Sequence, residues 1–204
     1  VGREAELARL HAAQRRAAGG QGVVLLVTGE PGQGKSRLLY EFLQALEAVD
    51  IIEASCMSYG GSMPYHPILD ALRRFFALTE GMADDEMRQR LADGLDSLGL
   101  AEAATVDLLG HFIGVAVPPG FFARLQTAQL KEQTLGLLRA IFLRASERRP
   151  IVFVVENVHW IDASSAAFLR SFADSVSGHR LLLVLTARPG LAATVLPPIP
   201  ETIA

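Results

Sequence analysis

Nine residues, Thr28-Gly29-Glu30-Pro31-Gly32-Gln33-Gly34-Lys35-Ser36, constrain this chain more than any other stretch. Eight of them, from Gly29 on, fit the spacing GxxxxGK(S/T). They follow an apolar run, Val23 to Val27, that reads as a buried strand. Leu38, Leu39, Phe42, Leu43 and Leu46 come next, spaced three and four apart as one face of a helix. Strand, Gly-rich turn and helix in this order predict a phosphate-binding loop. Gly29, Gly32 and Gly34 are expected to turn the backbone with φ > 0, so that consecutive N–H groups form an anion site at the helix N-terminus. Lys35 should then reach the β- and γ-phosphates, and the Ser36 hydroxyl should ligate the Mg²⁺ that bridges them.

Composition narrows what surrounds this loop. The chain has 204 residues, 50% hydrophobic and 20% charged, which suits one globular domain carrying an insertion rather than two full domains. A net charge of -3 leaves no electrostatic footprint for nucleic acid, and the Arg15-Arg16, Arg73-Arg74 and Arg148-Arg149 pairs lie far apart in sequence. The single cysteine, Cys56, excludes an internal disulfide and fits a reducing cytoplasm. The five histidines lack zinc-ligand spacing. No stretch reaches the roughly 18 apolar residues of a membrane span, and no leader pattern opens the chain. Val1 in place of Met implies an excised or processed fragment.

Read in order, Arg3 to about Ala18 predicts an amphipathic helix ending at Gly19-Gly20, and Ile51 to Ala54 a short second strand closed by Cys56, a core residue rather than a reactive thiol. Between about residues 58 and 150 no convincing strand occurs. Ser62-Met63-Pro64 can start a helix with Ile68, Leu69, Leu72, Phe75 and Phe76 on its face. Leu91, Leu95 and Leu98 suggest another, and Ala101 to Phe112 a third. After a break at Pro118-Pro119-Gly120, Leu125 to Phe142 predicts a longer helix finishing before Pro150. This exceeds an ordinary crossover and reads as a helical insertion. Tyr65 and His66 read as packing at a helix start.

Ile151 to Val155 and Leu181 to Leu185 are continuously apolar, as central parallel strands buried on both faces are. The first delivers Glu156, and the second Thr186 and Arg188, to the strand ends where open α/β sheets bind ligands. Glu156 is expected to contact Mg²⁺ directly or through water. Asp162 with Ser164 and Ser165 supplies N-cap chemistry for a helix containing Phe168, Leu169 and Phe172. Glu201 to Ala204, beyond Pro197-Pro198 and Pro200, could form a fifth strand cut short.

With these pieces in place, the chain resembles the signal-transduction P-loop ATPases called STAND, within the wider AAA-like group. The nearest likeness is to the ATPase modules of large LuxR-type and maltose-activator-like transcriptional regulators and of cyclase-associated ATPase regions. Val1-Gly2-Arg3-Glu4 is similar to the family's opening box near the adenine. Glu156-Asn157-Val158-His159-Trp160-Ile161-Asp162 is similar to the segment ending the Walker B strand, and Thr186-Ala187-Arg188-Pro189 to the sensor-1 strand end, whose Arg senses the γ-phosphate.

The resemblance implies an α/β fold of P-loop NTPase type, a three-layer sandwich with a parallel sheet in the order 5-1-4-3-2 and a truncated fifth strand. It also implies helical, winged-helix and effector domains downstream, absent from this chain. ATP or ADP with Mg²⁺ is the expected ligand. Nucleotide contacts are expected from Arg3, Gly29, Glu30, Pro31, Gly32, Gln33, Gly34, Lys35, Ser36 and Arg37, metal contacts from Ser36 and Glu156, and catalytic roles from Lys35, Glu156, Asn157 and Arg188. Expected partners are the nucleotide and the downstream domains, with self-association left open, and no nucleic acid or membrane. One position departs from the pattern: Asn157 stands where the family usually has a second acid that polarises the attacking water. An amide cannot accept that proton, so the general-base contribution, about 10²- to 10⁴-fold, should be largely missing. Glu30 is a conceivable substitute.

The leading expectation is therefore an ATP-binding switch domain with slow turnover. A small-molecule kinase would use the helical insertion as a lid with convergent arginines, for which Arg73, Arg74, Arg88 and Arg90 are available. A pure interaction module with a vestigial loop conflicts with intact Lys35 and Ser36.

Overall fold

The computed structural model describes residues 2–58, 64–119, 121, 127–190, 199 and 201–204. Helix α1 (Glu4–Ala18) precedes strand β1 (Val23–Thr28), helix α2 (Lys35–Gln44) and strand β2 (Asp50–Ser55). Four helices follow, α3 (His66–Phe75), α4 (Asp84–Ser97), α5 (Ala103–Ile113) and α6 (Thr127–Arg148). The chain then forms β3 (Ile151–Glu156), a 3₁₀ turn (Val158–Trp160), α7 (Ala163–Ser175), β4 (Leu181–Ala187) and β5 (Glu201–Ile203). The five strands pair in the order β2-β3-β4-β1-β5, all parallel, which is the expected 5-1-4-3-2 read from the other edge.

The apolar runs become central strands because both their faces are covered. Val152, Val154, Leu182, Val184, Val23, Leu25 and Val27 join a cluster with Leu10 and Ala17 of α1 and Leu38 and Phe42 of α2. The alternate residue Phe153 meets Phe172 of α7 at 6.1 Å between ring centroids, and Phe168 stacks on Phe172 at 5.5 Å. Edge strand β2 shows the other pattern, with Ile51 and Glu53 exposed between buried Ile52 and Ala54. Arg9 of α1 donates to the Thr202 carbonyl at 2.6 Å, and Arg16 pairs with Glu201, so the short β5 is held by side chains as well as by its ladder.

Several boundaries differ from the sequence reading. Helix α2 stops at Gln44, leaving Leu46 partly buried beyond it. Strands β3 and β4 run on to Glu156 and Ala187, since polar residues at a strand end continue the ladder. Helix α3 starts at His66, whereas Ser62 and Met63 lie outside the described residues, as do Gly60, Gly120, Leu125, Pro197, Pro198 and Pro200. Tyr65, just before α3, takes a left-handed conformation with φ 62°, and its N–H donates to Asp162 Oδ1 at 3.2 Å.

The chain divides into two compact units, residues 1–68 with 146–204, and Leu69–Ala145. The first holds the sheet. The regular elements of the second, among its described residues, are all helices, with Leu72, Phe76, Leu91, Leu95, Leu109, Leu138, Ile141 and Phe142 buried in it. Arg88 of α4 pairs with Asp107 of α5, and Arg73 donates to the Ile113 carbonyl at 3.1 Å. No helix among the described residues is long and apolar enough to cross a membrane.

The entry to β1 is set by Gly22. Its φ is +56°, and a Cβ there would lie 1.9 Å from the Val176 carbonyl oxygen, whereas Gly20, with φ +88°, faces open space. Gly20→Ala should cost only the left-handed backbone term, about 1–2 kcal/mol. Gly22→Ala should add a backbone displacement, for a total on the order of 4 kcal/mol. Calorimetric melting of the two variants compares these directly, and equal shifts would contradict the packing of Gly22 on Val176.

Candidate functional site

Parallel pairing brings the carboxyl ends of β1, β3 and β4 to one edge of the sheet. Thr28 lies opposite Ala187, so the loop leaving β1 and the chain leaving β4 depart side by side. The loop then turns through Gly32 and Gly34, with φ of +81° and +79°, into the first turn of α2. Amides of a first helical turn have no intrahelical partner, and here they open on the strand ends. Gly29 departs from the expectation that it too would have positive φ. What stands over it is side chain: a Cβ would meet the Gln33 side-chain oxygen at 2.9 Å and Lys35 Cγ at 3.5 Å. The Gln33 N–H is also turned inward, donating to the Glu30 carbonyl at 3.2 Å, while Gln33 Oε1 accepts from the Glu30 N–H at 2.7 Å. These bonds brace the loop from within.

Lys35 folds back along the loop, its Nζ donating to the Gly29 and Glu30 carbonyls at 2.8 and 3.1 Å. The ammonium is thereby held over the turn that the amides line. Ser36 Oγ donates to Glu156 Oε2 at 2.7 Å, bringing together the two residues singled out as metal ligands. A hydroxyl and a carboxylate are hard oxygen donors of the kind Mg²⁺ accepts alongside water and phosphate, so the residues present fit that ion.

Asn157 has φ 59° and ψ 40°, the left-handed conformation in which Asn is among the few tolerated non-Gly residues. Its N–H donates to Thr186 Oγ1 at 2.9 Å, tying the end of β3 to β4. This bend redirects the chain into the 3₁₀ turn and sets His159 and Trp160 beside the loop. Arg188 leaves β4 with its guanidinium 5.3 Å from the centroid of the Trp160 ring, a cation–π arrangement. Asp162 caps α7 as expected, Oδ1 accepting from the Ser164 and Ser165 N–H groups at 3.0 and 2.9 Å.

A cleft of about 400 Å³ results, lined by Pro31, Gly32, Gly34, Lys35, Ser36, Arg37, Asn157, His159, Trp160 and Arg188. A second cleft, about 230 Å³, is lined by Gly2, Arg3, Glu4, Leu7, Gly34, Arg37, Leu38 and Glu41, and shares Gly34 and Arg37 with the first. Arg3 reaches the loop directly through a hydrogen bond to the Gln33 carbonyl, and Arg37 pairs with Glu41 at 2.9 Å. A roomier cleft of about 640 Å³ is formed by the helical unit, around Asp107, Leu108, Phe121 and Leu137. It has neither a lysine nor a glycine-rich turn among its described lining residues, so volume does not make it the better anion site.

Of the residues expected at the site, the structure brings Lys35, Ser36, Asn157 and Arg188 to one cleft, with Glu156 bonded to Ser36. Arg3 stands on the neighbouring cleft. Glu30 is exposed and contributes through its backbone. In the sequence His159 and Trp160 stand out as parts of a motif and His159 as a histidine without zinc-ligand spacing; their place in the cleft follows from the left-handed bend at Asn157. Both His159 ring nitrogens are buried without a hydrogen-bond partner, and burial, then Arg188, then Lys35 hold its pKa below the usual imidazole value. Burial, assisted by Asp162, pushes the Cys56 thiol up to about 12, so it is inert at neutral pH.

Residues 1–184 match the AAA ATPase domain. The chain is also similar to an uncharacterized protein of Rhizobium meliloti (strain 1021), 31% identical over 180 residues. That alignment takes in 85% of this chain but only 17% of the relative's length. The loop, the strand ends and the sheet order agree with the family match: the chain belongs to the AAA ATPase domain family of nucleotide-binding ATPases.

Proposed function

We propose that this chain is the Mg-ATP-binding, slowly hydrolysing switch domain of a larger regulatory protein. The observation that carries the reading is the meeting of Lys35, Ser36 and Arg188 in one cleft, with Glu156 on Ser36 and an amide at position 157. The triphosphate is received by the loop amides and Lys35, whose ammonium is already poised over the turn. Arg3 and the adjoining cleft receive the nucleoside end. Mg²⁺, when held by Ser36 and Glu156, neutralises charge on the β- and γ-phosphates. Hydrolysis to ADP and phosphate is an in-line attack by water, in which Lys35 and Arg188 stabilise the charge spread over the transferring phosphoryl group. Asn157 can orient that water through its amide but cannot take its proton.

A kinase lid is disfavoured, because the arginines it would need have local partners. Arg73 bonds the Ile113 carbonyl, Arg74 pairs with Asp70, Arg88 with Asp107 and Arg90 with Glu86. The switch role is supported by the resemblance to signal-transduction ATPases, and by a relative far longer than this chain, which leaves room for domains that nucleotide binding could control.

Lys35→Ala should abolish the nucleotide-induced rise in melting temperature, because it removes the charge-assisted bonds to phosphate; a wild-type rise would refute the site. Arg188→Ala should weaken binding of ATP analogues more than of ADP in calorimetric titrations, and equal losses would place Arg188 elsewhere than at the γ-phosphate. Asn157→Asp should raise the single-turnover hydrolysis rate roughly 10- to 1000-fold with ATP affinity nearly unchanged, the span expected on adding a general base. Equal, readily measured rates in both proteins would show that another group activates the water.

A further inference from the structure

Among the described residues lining the phosphate cleft, His159 is the one imidazole, and the proposed hydrolysis leaves it without a role. Its ring lies 4.5 Å from that of Trp160, tilted by 47°, and Trp160 in turn carries Arg188 on its face. Ring orientation is therefore set by an aromatic neighbour rather than by a hydrogen bond. Both ring nitrogens are shielded from solvent and lack a partner. A buried polar atom left unpaired costs about 1–3 kcal/mol, so the arrangement favours any ligand that brings an acceptor to it.

We propose that His159 is a contact to the terminal phosphate of ATP, donating a ring N–H to a phosphoryl oxygen, and so helps the cleft to distinguish ATP from ADP. The proposal rests on the nucleotide-site reading above and adds to it a residue that reads the third phosphate.

The charges around the ring define how such a contact behaves. Lys35 comes from the first turn of α2 and Arg188 from the end of β4. Burial first, and then these two cations, favour the neutral imidazole. Arg37 also lines the cleft, while of the carboxylates nearest in sequence Glu156 accepts from Ser36 and Asp162 accepts through Oδ1 from the amides opening α7, its Oδ2 being buried without a partner. A terminal phosphate placed among these cations cancels their repulsion of a proton on His159 and supplies an acceptor for it. The pKa of the ring rises on binding. By linkage, ATP binding takes up a proton from solvent wherever pH lies between the free and bound values, and ATP affinity increases as pH falls through that window. ADP, lacking the third phosphate, should produce a much smaller effect.

The test is isothermal titration of the protein with Mg-ATP and with Mg-ADP from pH 5.5 to 8, in buffers of different ionisation enthalpy, for the wild type and His159→Gln. Proton uptake by ATP itself is common to both proteins and cancels in the comparison. Wild type should take up more protons with ATP than the variant does, and His159→Gln should lose roughly 10-fold or more in ATP affinity near pH 6, with ADP affinity little changed. Because the variant could be destabilised, the His159 ring signal of the wild type is followed in parallel by NMR, where its titration midpoint should move upward on adding Mg-ATP. Equal proton uptake by the two proteins, equal loss for ATP and ADP, or a midpoint unmoved by ATP would overturn the proposal while leaving the nucleotide site intact. Failure of the wild type to bind either nucleotide would overturn the site reading, and this contact with it.

Discussion

Parallel pairing of β1, β4 and β3 is the constraint on which the rest of the structure depends. Each strand is buried on both faces, so a one-residue slip would carry every side chain to the wrong layer: Phe153 would leave Phe172, and Val152 and Val154 would leave the α1–α2 cluster. Register is thereby enforced by apolar packing far from any charge. What it aligns is polar. Thr28 stands opposite Ala187 and Val155 opposite Leu185, and the loop, Glu156 and Arg188 all begin within a residue or two of these pairs. The core thus supplies the positional accuracy that the cleft requires, and the Ser36–Glu156 and Asn157–Thr186 hydrogen bonds join the polar segments that it aligns.

Much of this was legible in the sequence for a simple physical reason. Doubly buried strands must be nearly all apolar, and phosphate loops must contain glycine at fixed spacing, so both leave local signatures. Features that depend on how side chains fold over the backbone, within a loop or between distant segments, were not legible. Gly29 looks like Gly32 and Gly34 in sequence, yet only the latter two need positive φ, whereas Gly29 has the Gln33 and Lys35 side chains folded over it. Likewise, nothing local announces that Tyr65 donates its N–H to Asp162, ninety-seven positions away. His159 and Trp160 could be read as a motif but not as cleft residues, because their direction is decided by one left-handed residue before them.

The helical unit was legible in kind and opaque in purpose. Apolar spacing predicts its helices, since each must bury one face, and the described residues of α3 to α6 obey that rule. Its charged residues carry less information: Arg88 with Asp107 and Arg90 with Glu86 join neighbouring turns or helices, which is what surface arginines of a small bundle do. Arginine count alone therefore says nothing about a phosphate acceptor, and the contacts show only that these arginines have local partners.

Under the proposed function, position 157 lets binding and turnover be set separately at one site. The fold asks that residue for a left-handed bend and for an N–H that reaches Thr186. Both demands fall on the backbone. Asn and Asp meet them about equally, since each tolerates that conformation. Chemistry asks instead for the side chain, and there the two differ completely, one able to take a proton and the other not. In the proposed site nucleotide affinity rests on neither, since the groups assigned to it are the loop amides, Lys35 and the Ser36–Glu156 pair. A single exchange of oxygen for nitrogen can therefore change how long a bound triphosphate persists while leaving the strand ends, the bend and the cleft as they are. Under the proposed switch function, that lifetime is the quantity to be tuned.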